Sequence, residues 1–304
     1  MNRILGLLLL TFVLVLPSTA SVNINTEAVK KSVVYIYGGD NEGKQADSTK
    51  ILGTGFLVAV PLSSVENRAY YLLVTARHVF DPSWAHCPSF NPQWVYLRMN
   101  TKNYDPKKDD TGVGFVPIHL VLNQTWIHHA DENVDVAVVF LIPKAFEDYD
   151  VNEISVSEFA TDEEAKQRSP SDPVMSAGLM LAFPGVKRNY PVLKFGHLST
   201  EPDELIPSQC VQNGGNTLMR LWLLSINLLP GNSGSPIFYV PEGANNASFG
   251  GGRPALIGLQ SSSFLGFDVS GMTPVQYIFE TIEAMKLKDA DLYRGLAQNR
   301  PKKN

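Results

Sequence analysis

An all-β fold, a barrel or a sandwich, is predicted from three observations. The apolar runs are short, rich in β-branched and aromatic residues, and separated by turn formers. They fall into two sets on either side of an acidic stretch between Phe146 and Pro173. A helical period stands out only near the C-terminus.

In order, Ser32-Val33-Val34-Tyr35-Ile36-Tyr37 reads as a first strand and Gly53 to Val60 as a second. Tyr70 to Ala76 is a third, running straight into Arg77-His78-Val79-Phe80. Trp94 to Met99 alternates and reads as a fourth; Val113 to Leu122 and Val134 to Ile142 complete the first set. Residues 147–173 carry Glu147, Asp148, Asp150, Glu153, Glu158, Asp162, Glu163 and Glu164 and lose apolar periodicity. They read as a solvated connection with a helical turn at Thr161 to Arg168.

The second set comprises Val174 to Phe183, Tyr190 to Leu198, Thr217 to Ile226, Pro236 to Val240 and Ala255 to Gln260, with a glycine-rich hairpin tip at Asn245 to Gly252. Thr273-Pro274 supply a cap and a first helical position, after which Val275, Ile278, Phe279, Ile282 and Met285 share one helical face. The chain divides accordingly into residues 21–146, a connection 147–173, a second unit 174–290 and a frayed tail 291–304.

Residues 1–20 stand apart. Arg3 precedes an almost wholly apolar run, Ile4 to Leu16, and Pro17-Ser18-Thr19-Ala20 ends in small residues. This is the pattern of a secretory signal cut after Ala20, and its apolar core is short for a membrane span. A secreted or periplasmic chain without a stable membrane anchor after cleavage is expected. The net charge of −5 over 304 residues offers no basic stripe for nucleic acid. Cys87 and Cys210 are two thiols that an oxidising compartment would let pair; the sequence does not say whether they meet. Neither has metal-ligand spacing with His86, His128 or His129, so neither a metal nor another cofactor is expected.

The chemistry concentrates at Leu229-Pro230-Gly231-Asn232-Ser233-Gly234-Ser235-Pro236. Apolar runs lead in and out, and glycine and proline force a tight turn between them. Such a turn is either a plain hairpin connection or a place where a nucleophilic serine is presented. A serine hydroxyl needs a base. His78, directly after a strand and after the small residues Thr75 and Ala76, is a candidate. A histidine base needs a third group to fix its tautomer. Asp135, in Val134-Asp135-Val136-Ala137-Val138, is a carboxylate costly to bury alone; Asp131 and Glu132 lie nearby as alternatives.

Thr75-Ala76-Arg77-His78-Val79, Asp135-Val136-Ala137-Val138 and Gly231-Asn232-Ser233-Gly234-Ser235-Pro236 resemble the three signatures of trypsin-like (chymotrypsin-fold) serine proteases, in that family's order. The gaps, about 57 and about 98 residues, suit that arrangement. Gly53 to Val58, Met180 to Gly185 and Ala255 to Leu259 also resemble its secreted and periplasmic bacterial branch. The resemblance implies two six-stranded antiparallel β-barrels with a C-terminal α-helix. It implies a serine endopeptidase acting on polypeptides: Ser233 as nucleophile, His78 as base, Asp135 as its orienter, and the N–H groups of Gly231 and Ser233 as oxyanion hole. It places Ser261 in support of the aspartate, Asn227 at the pocket floor, and Ser262 and Ser263 on the strand that pairs with extended substrate.

The chain departs from the family pattern in places. Asn232 stands where trypsin and its relatives carry an aspartate that pairs with a newly cut N-terminus, so activation of that kind is not expected. Asn227 is neutral and Gln260 replaces the histidine of glutamyl endopeptidases, which leaves a small or apolar residue before the scissile bond as the expectation. No PDZ-like domain is expected. Two other classes remain: a binding protein with this fold but no turnover, and an esterase of another fold, which would want the order Ser, Asp, His.

Overall fold

In a computed structural model the described residues are 24–61, 69–86, 91–108, 111–209, 216–241, 253–264 and 266–285. The expected signal segment, both cysteines, the hairpin tip at 245–252 and the C-terminal tail lie outside them. A short helix, α1 (Thr26–Ser32), comes first; the Asn25 side chain caps it by accepting from Ala28 N at 3.1 Å. Strands β1 (Val33–Gly39), β2 (Ala46–Pro61) and β3 (Ala69–Thr75) follow, and β3 feeds the single-turn helix α2 (Arg77–Phe80). Then come β4 (Trp94–Asn100), β5 (Val113–His119), β6 (Trp126–His128), β7 (Ala137–Leu141) and β8 (Ile154–Ser155). These eight strands form one curled sheet in the order β5-β4-β1-β2-β3-β7-β6, with β8 joining β2 in parallel.

The acidic connection contains α3 (Asp162–Lys166), closed by a reciprocal cap between Thr161 and Glu164. Beyond it lie β9 (Pro173–Gly178), β10 (Val192–Thr200), β11 (Ile206–Gln209), β12 (Asn216–Met219), β13 (Trp222–Ser225), β14 (Pro236–Tyr239), β15 (Ala255–Phe264), β16 (Val269–Pro274) and α4 (Val275–Ala284). Six of these strands close a barrel in the order β10-β13-β16-β15-β14-β9, while β11 and β12 form a separate hairpin. The fold is therefore all-β with a C-terminal helix, as expected, one barrel being closed and the other a curled sheet. Val275, Ile278, Phe279, Ile282 and Met285 are all buried, as the helical period requires.

Some boundaries differ from the pattern, for physical reasons. The run Thr217 to Ile226 is two strands of different sheets, because Arg220 N turns aside to donate to Asn133 O at 2.9 Å. The strand after Asp135 starts only at Ala137, so the carboxylate sits in the approach loop. Among the described residues no helix is long and apolar enough to cross a membrane.

Arg98 ties the two halves together. It projects from β4, 5 % exposed, and donates to Asn189 Oδ1 at 2.6 Å and to the carbonyls of Pro184, Gly185 and Val186 at 3.1, 2.8 and 2.9 Å. Asn189 answers by donating its Nδ2 to Arg98 O at 2.7 Å. Burial disfavours the guanidinium charge and holds its pKa below the ordinary value. Four oxygens served by one side chain make it costly to remove, because buried acceptors without donors carry their full desolvation penalty. Arg98→Met is expected to destabilise the fold by about 3 kcal/mol; urea denaturation measures it, and a loss below about 1 kcal/mol would show that the loop is held by other means.

Candidate active site

The His78–Asp135 pair is built by α2 and the loop before β7. Ala76, extended at φ −72°, follows β3 and is the N-cap of α2, whose second residue is His78. Arg77 braces this turn: it pairs with Glu132 at 2.7 Å and Asp81 at 3.3 Å and lies over the Trp84 ring at 4.9 Å. Val134 and Val136, both fully buried, anchor the loop so that Asp135 between them is also inaccessible. Its carboxylate grips His78 twice. Oδ1 accepts from His78 N at 3.0 Å and Oδ2 lies 2.7 Å from Nδ1.

A carboxylate is an acceptor only, so Nδ1 carries the proton and Nε2 is left as the basic nitrogen. Burial alone would lower the imidazole's pKa; the charge of Asp135 and its hydrogen bond outweigh this and hold it above 6.5. The other nearby carboxylates are engaged elsewhere: Asp131 with Arg220 at 2.7 Å and Glu132 with Arg77.

The serine turn is fastened to the same place by one buried residue, Thr54 of β2. Thr54 N donates to Ser233 O at 2.8 Å, and Thr54 Oγ1 donates to Gly231 O at 2.7 Å. Thr54 Oγ1 also accepts from Leu179 N at 3.2 Å, and Thr54 O accepts from Thr75 Oγ1 at 2.7 Å. All three polar atoms of Thr54 are thus used in four bonds, three to segments of the second half and one to the strand leading to His78. Gly234, at φ +84°, packs so closely that a Cβ would lie 2.1 Å from Thr54 O and 2.3 Å from Thr75 Oγ1. Only glycine fits there on both counts. Ser233 is thereby set beside the segment that carries His78. No hydrogen bond among the described residues reaches its hydroxyl. In free enzymes such contacts are often long and tighten with substrate.

The turn itself has the signature of type II. Asn232 N donates to Leu229 O at 3.0 Å, Pro230 occupies the second position, and Gly231 takes φ +92° at the third. Among the described residues the N–H groups of Gly231 and Ser233 have no acceptor. Two unserved donors flanking a serine hydroxyl form a ready receptor for a developing anion. Asn232, 3 % exposed, holds the turn: its Oδ1 accepts from Leu229 N at 3.0 Å and its Nδ2 donates to Leu179 O.

The remaining expected positions are met unevenly. Ser261 is buried on β15, but its hydroxyl pairs with Thr273 Oγ1 and no bond to Asp135 is formed. Ser262 pairs with Ser208 of β11 at 2.6 Å, and Ser263 Oγ accepts from Gln260 Nε2 at 3.2 Å. Asn227 is exposed; its side chain leans 3.5 Å from Asp268 and its carbonyl accepts from Lys194 at 2.8 Å. Gln260 is 1 % exposed and turns back onto Ser262 O and Ser263. The sequence reading missed Thr54, although a threonine between Gly53 and Gly55 was a visible signal. It missed Lys194 as well. Among the described residues no group of His, Cys, Asp or Glu is arranged to hold a metal.

Two outcomes follow from this geometry. Thr54→Val keeps the shape but leaves Gly231 O and Leu179 N unserved in a buried seam. It is expected to cost about 2 kcal/mol in denaturant unfolding, and a neutral result would mean the seam is not needed. Proton NMR of His78 is expected to show a midpoint above 6.5 that falls below it in Asp135→Asn, where only desolvation remains. An unchanged midpoint in the variant would contradict the coupling.

No protein-family model matches the chain, and no curated protein matches it in sequence. Solved structures do match. The MamO protease domain from Magnetospirillum magneticum is 14% identical with a TM-score of 0.48, covering 83% of this chain and 96% of that one. The active form of the Rv3671c protease from M. tuberculosis is 12% identical with a TM-score of 0.46, covering 84% and 82%. The serine protease domain of the Sesbania Mosaic Virus polyprotein is 13% identical with a TM-score of 0.42, covering 85% and 95%. Each of these three is described as a protease or a protease domain.

Proposed function

We propose that the chain is a secreted or periplasmic serine endopeptidase, with residues 1–20 its export signal. The observation that supports this most is the doubly hydrogen-bonded His78–Asp135 pair, with the serine turn bonded through Thr54 to the strand that β3 and His78 adjoin. Ser233 Oγ attacks the carbonyl carbon of a peptide bond while His78 Nε2 takes its proton. The oxygen of the tetrahedral intermediate gains negative charge and is received by the N–H groups of Gly231 and Ser233. The intermediate collapses, the C–N bond breaks, and His78 returns the proton to the departing amine. Water then attacks the acyl carbon as one of its protons passes to His78; the bond to Ser233 Oγ breaks, the acid leaves, and His78 returns the proton to Ser233 Oγ.

Asp135 favours the imidazolium formed on the way without itself taking the proton. The neutral histidine is the working form, so the rate falls as pH drops through the raised pKa of His78. The pocket floor at Asn227 is neutral, which fits an uncharged small or apolar residue before the cut. A second reading, a binding protein with this fold and no turnover, draws on the unbonded Ser233 hydroxyl.

A fluorophosphonate probe separates the two. It is expected to label the wild-type chain at Ser233 and to leave Ser233→Ala unlabelled. His78→Ala is expected to lower peptide hydrolysis about 10³-fold or more while the melting temperature stays within a few degrees. Hydrolysis that survives His78→Ala would remove the base from the scheme; a wild-type chain that never reacts would favour the binding reading.

A further inference from the structure

Lys194 is a half-buried cation that has no carboxylate partner among the described residues. Along β10 the side chains of Lys194 and Leu198 point into the barrel together with Gly196, whose missing Cβ would meet Ser225 O and Ile226. Lys194 Nζ therefore arrives beneath the serine turn from inside. It donates to Asn227 O at 2.8 Å and to Asn232 Oδ1 at 3.3 Å. These two acceptors sit at opposite ends of the loop Asn227-Leu228-Leu229-Pro230-Gly231-Asn232. One ammonium thus closes the loop that holds the candidate pocket floor and the unserved Gly231 N–H.

The charge is costly where it stands. Burial lowers the ammonium's pKa below its ordinary value. The neighbouring elements offer no counter-charge: β9, β13 and residues 226–232 contain no titratable side chain, and His197, the other titratable group on β10, is exposed. Asp268 is reached only through the Asn227 side chain, 3.5 Å away. An apolar residue would fill this place without that cost. A lysine kept there is explained by what its two hydrogen bonds hold.

We propose that Lys194 is a positioning residue for the anion-binding turn: its ammonium clamps Asn227 O and Asn232 Oδ1, and so fixes the Gly231 and Ser233 amides in register for the oxyanion. The inference rests on the protease reading for its consequence and on the clamp for its geometry. The clamp exists only while the ammonium is charged, so it opens as pH rises through the lowered pKa of Lys194, below 10.5.

The test compares wild type, Lys194→Met and Lys194→Arg by rate of fluorophosphonate labelling from pH 6 to 11. Lys194→Met is expected to react at least about 30-fold more slowly at pH 8, with a larger effect on kcat than on KM for a peptide substrate. Lys194→Arg is expected to recover most of the rate and to extend the alkaline limit, because a guanidinium stays charged. Amide hydrogen exchange of the peptide holding residues 227–234 is expected to speed up in Lys194→Met alone. A wild-type chain that does not label would sink the hydrolase reading, and the exchange data would then decide the clamp. Equal labelling of wild type and Lys194→Met, unchanged exchange, or no rescue by arginine would overturn it.

Discussion

The seam centred on Thr54 is the constraint on which the rest depends. A residue with no exposed surface spends its amide, its carbonyl and both capacities of its hydroxyl on four bonds to three segments. Three of those bonds reach the second half of the chain, at Ser233, Gly231 and Leu179; the fourth reaches Thr75, three residues before His78. Separate hydrogen bonds at an interface can slip one at a time. Four bonds sharing one side chain and its backbone are set or lost together, which gives the serine turn a fixed position relative to the histidine.

Around that seam the polar atoms are allotted with little slack. Asp135 spends both oxygens on His78, and Asn232 divides its amide between Leu229 N and Lys194 Nζ at Oδ1 and Leu179 O at Nδ2. Arg98 holds the 184–190 loop, and Leu181, three residues before it, would touch a Cβ placed on Gly231. The turn is therefore backed from three directions: by β2, by the apolar loop that Arg98 steadies, and from within the barrel by Lys194. Against this, the Gly231 and Ser233 amides are conspicuous in having no acceptor among the described residues. These open donors stand beside the His78–Asp135 pair as support for the proposed hydrolytic role.

Much of this was legible in the sequence, and the limits are physical. Strand-forming runs show through because burying one face of a sheet imposes a period of two. His78, Asp135 and Ser233 show through because each sits in a local pattern with few alternatives. The fastening was not read, since Thr54, Arg98 and Lys194 act through partners far along the chain; Thr54 alone carries a local mark, its place between Gly53 and Gly55. The helix Thr26–Ser32 was missed because it buries little beyond Val29 and has no apolar period to read. The split of the run after Thr217 was missed because an apolar sequence does not record which sheet it joins. The expected bond from Ser261 to the aspartate came from resemblance alone, and here the hydroxyl has a closer partner in Thr273.

The small strand β8 has a consequence of its own. By lying parallel to β2 at Val58 and Ala59, it returns the chain to the first sheet before the second begins. What crosses between the halves after that is a single tether, from Val156 to Asp172. Each half thus possesses its complete set of strands in one continuous piece of chain, and the junction relies on docking rather than interlacing. A molecule nicked in that tether would still have the bonds of Thr54 to Ser233, Gly231 and Leu179, and those of Arg98 to Pro184, Gly185, Val186 and Asn189, spanning the cut.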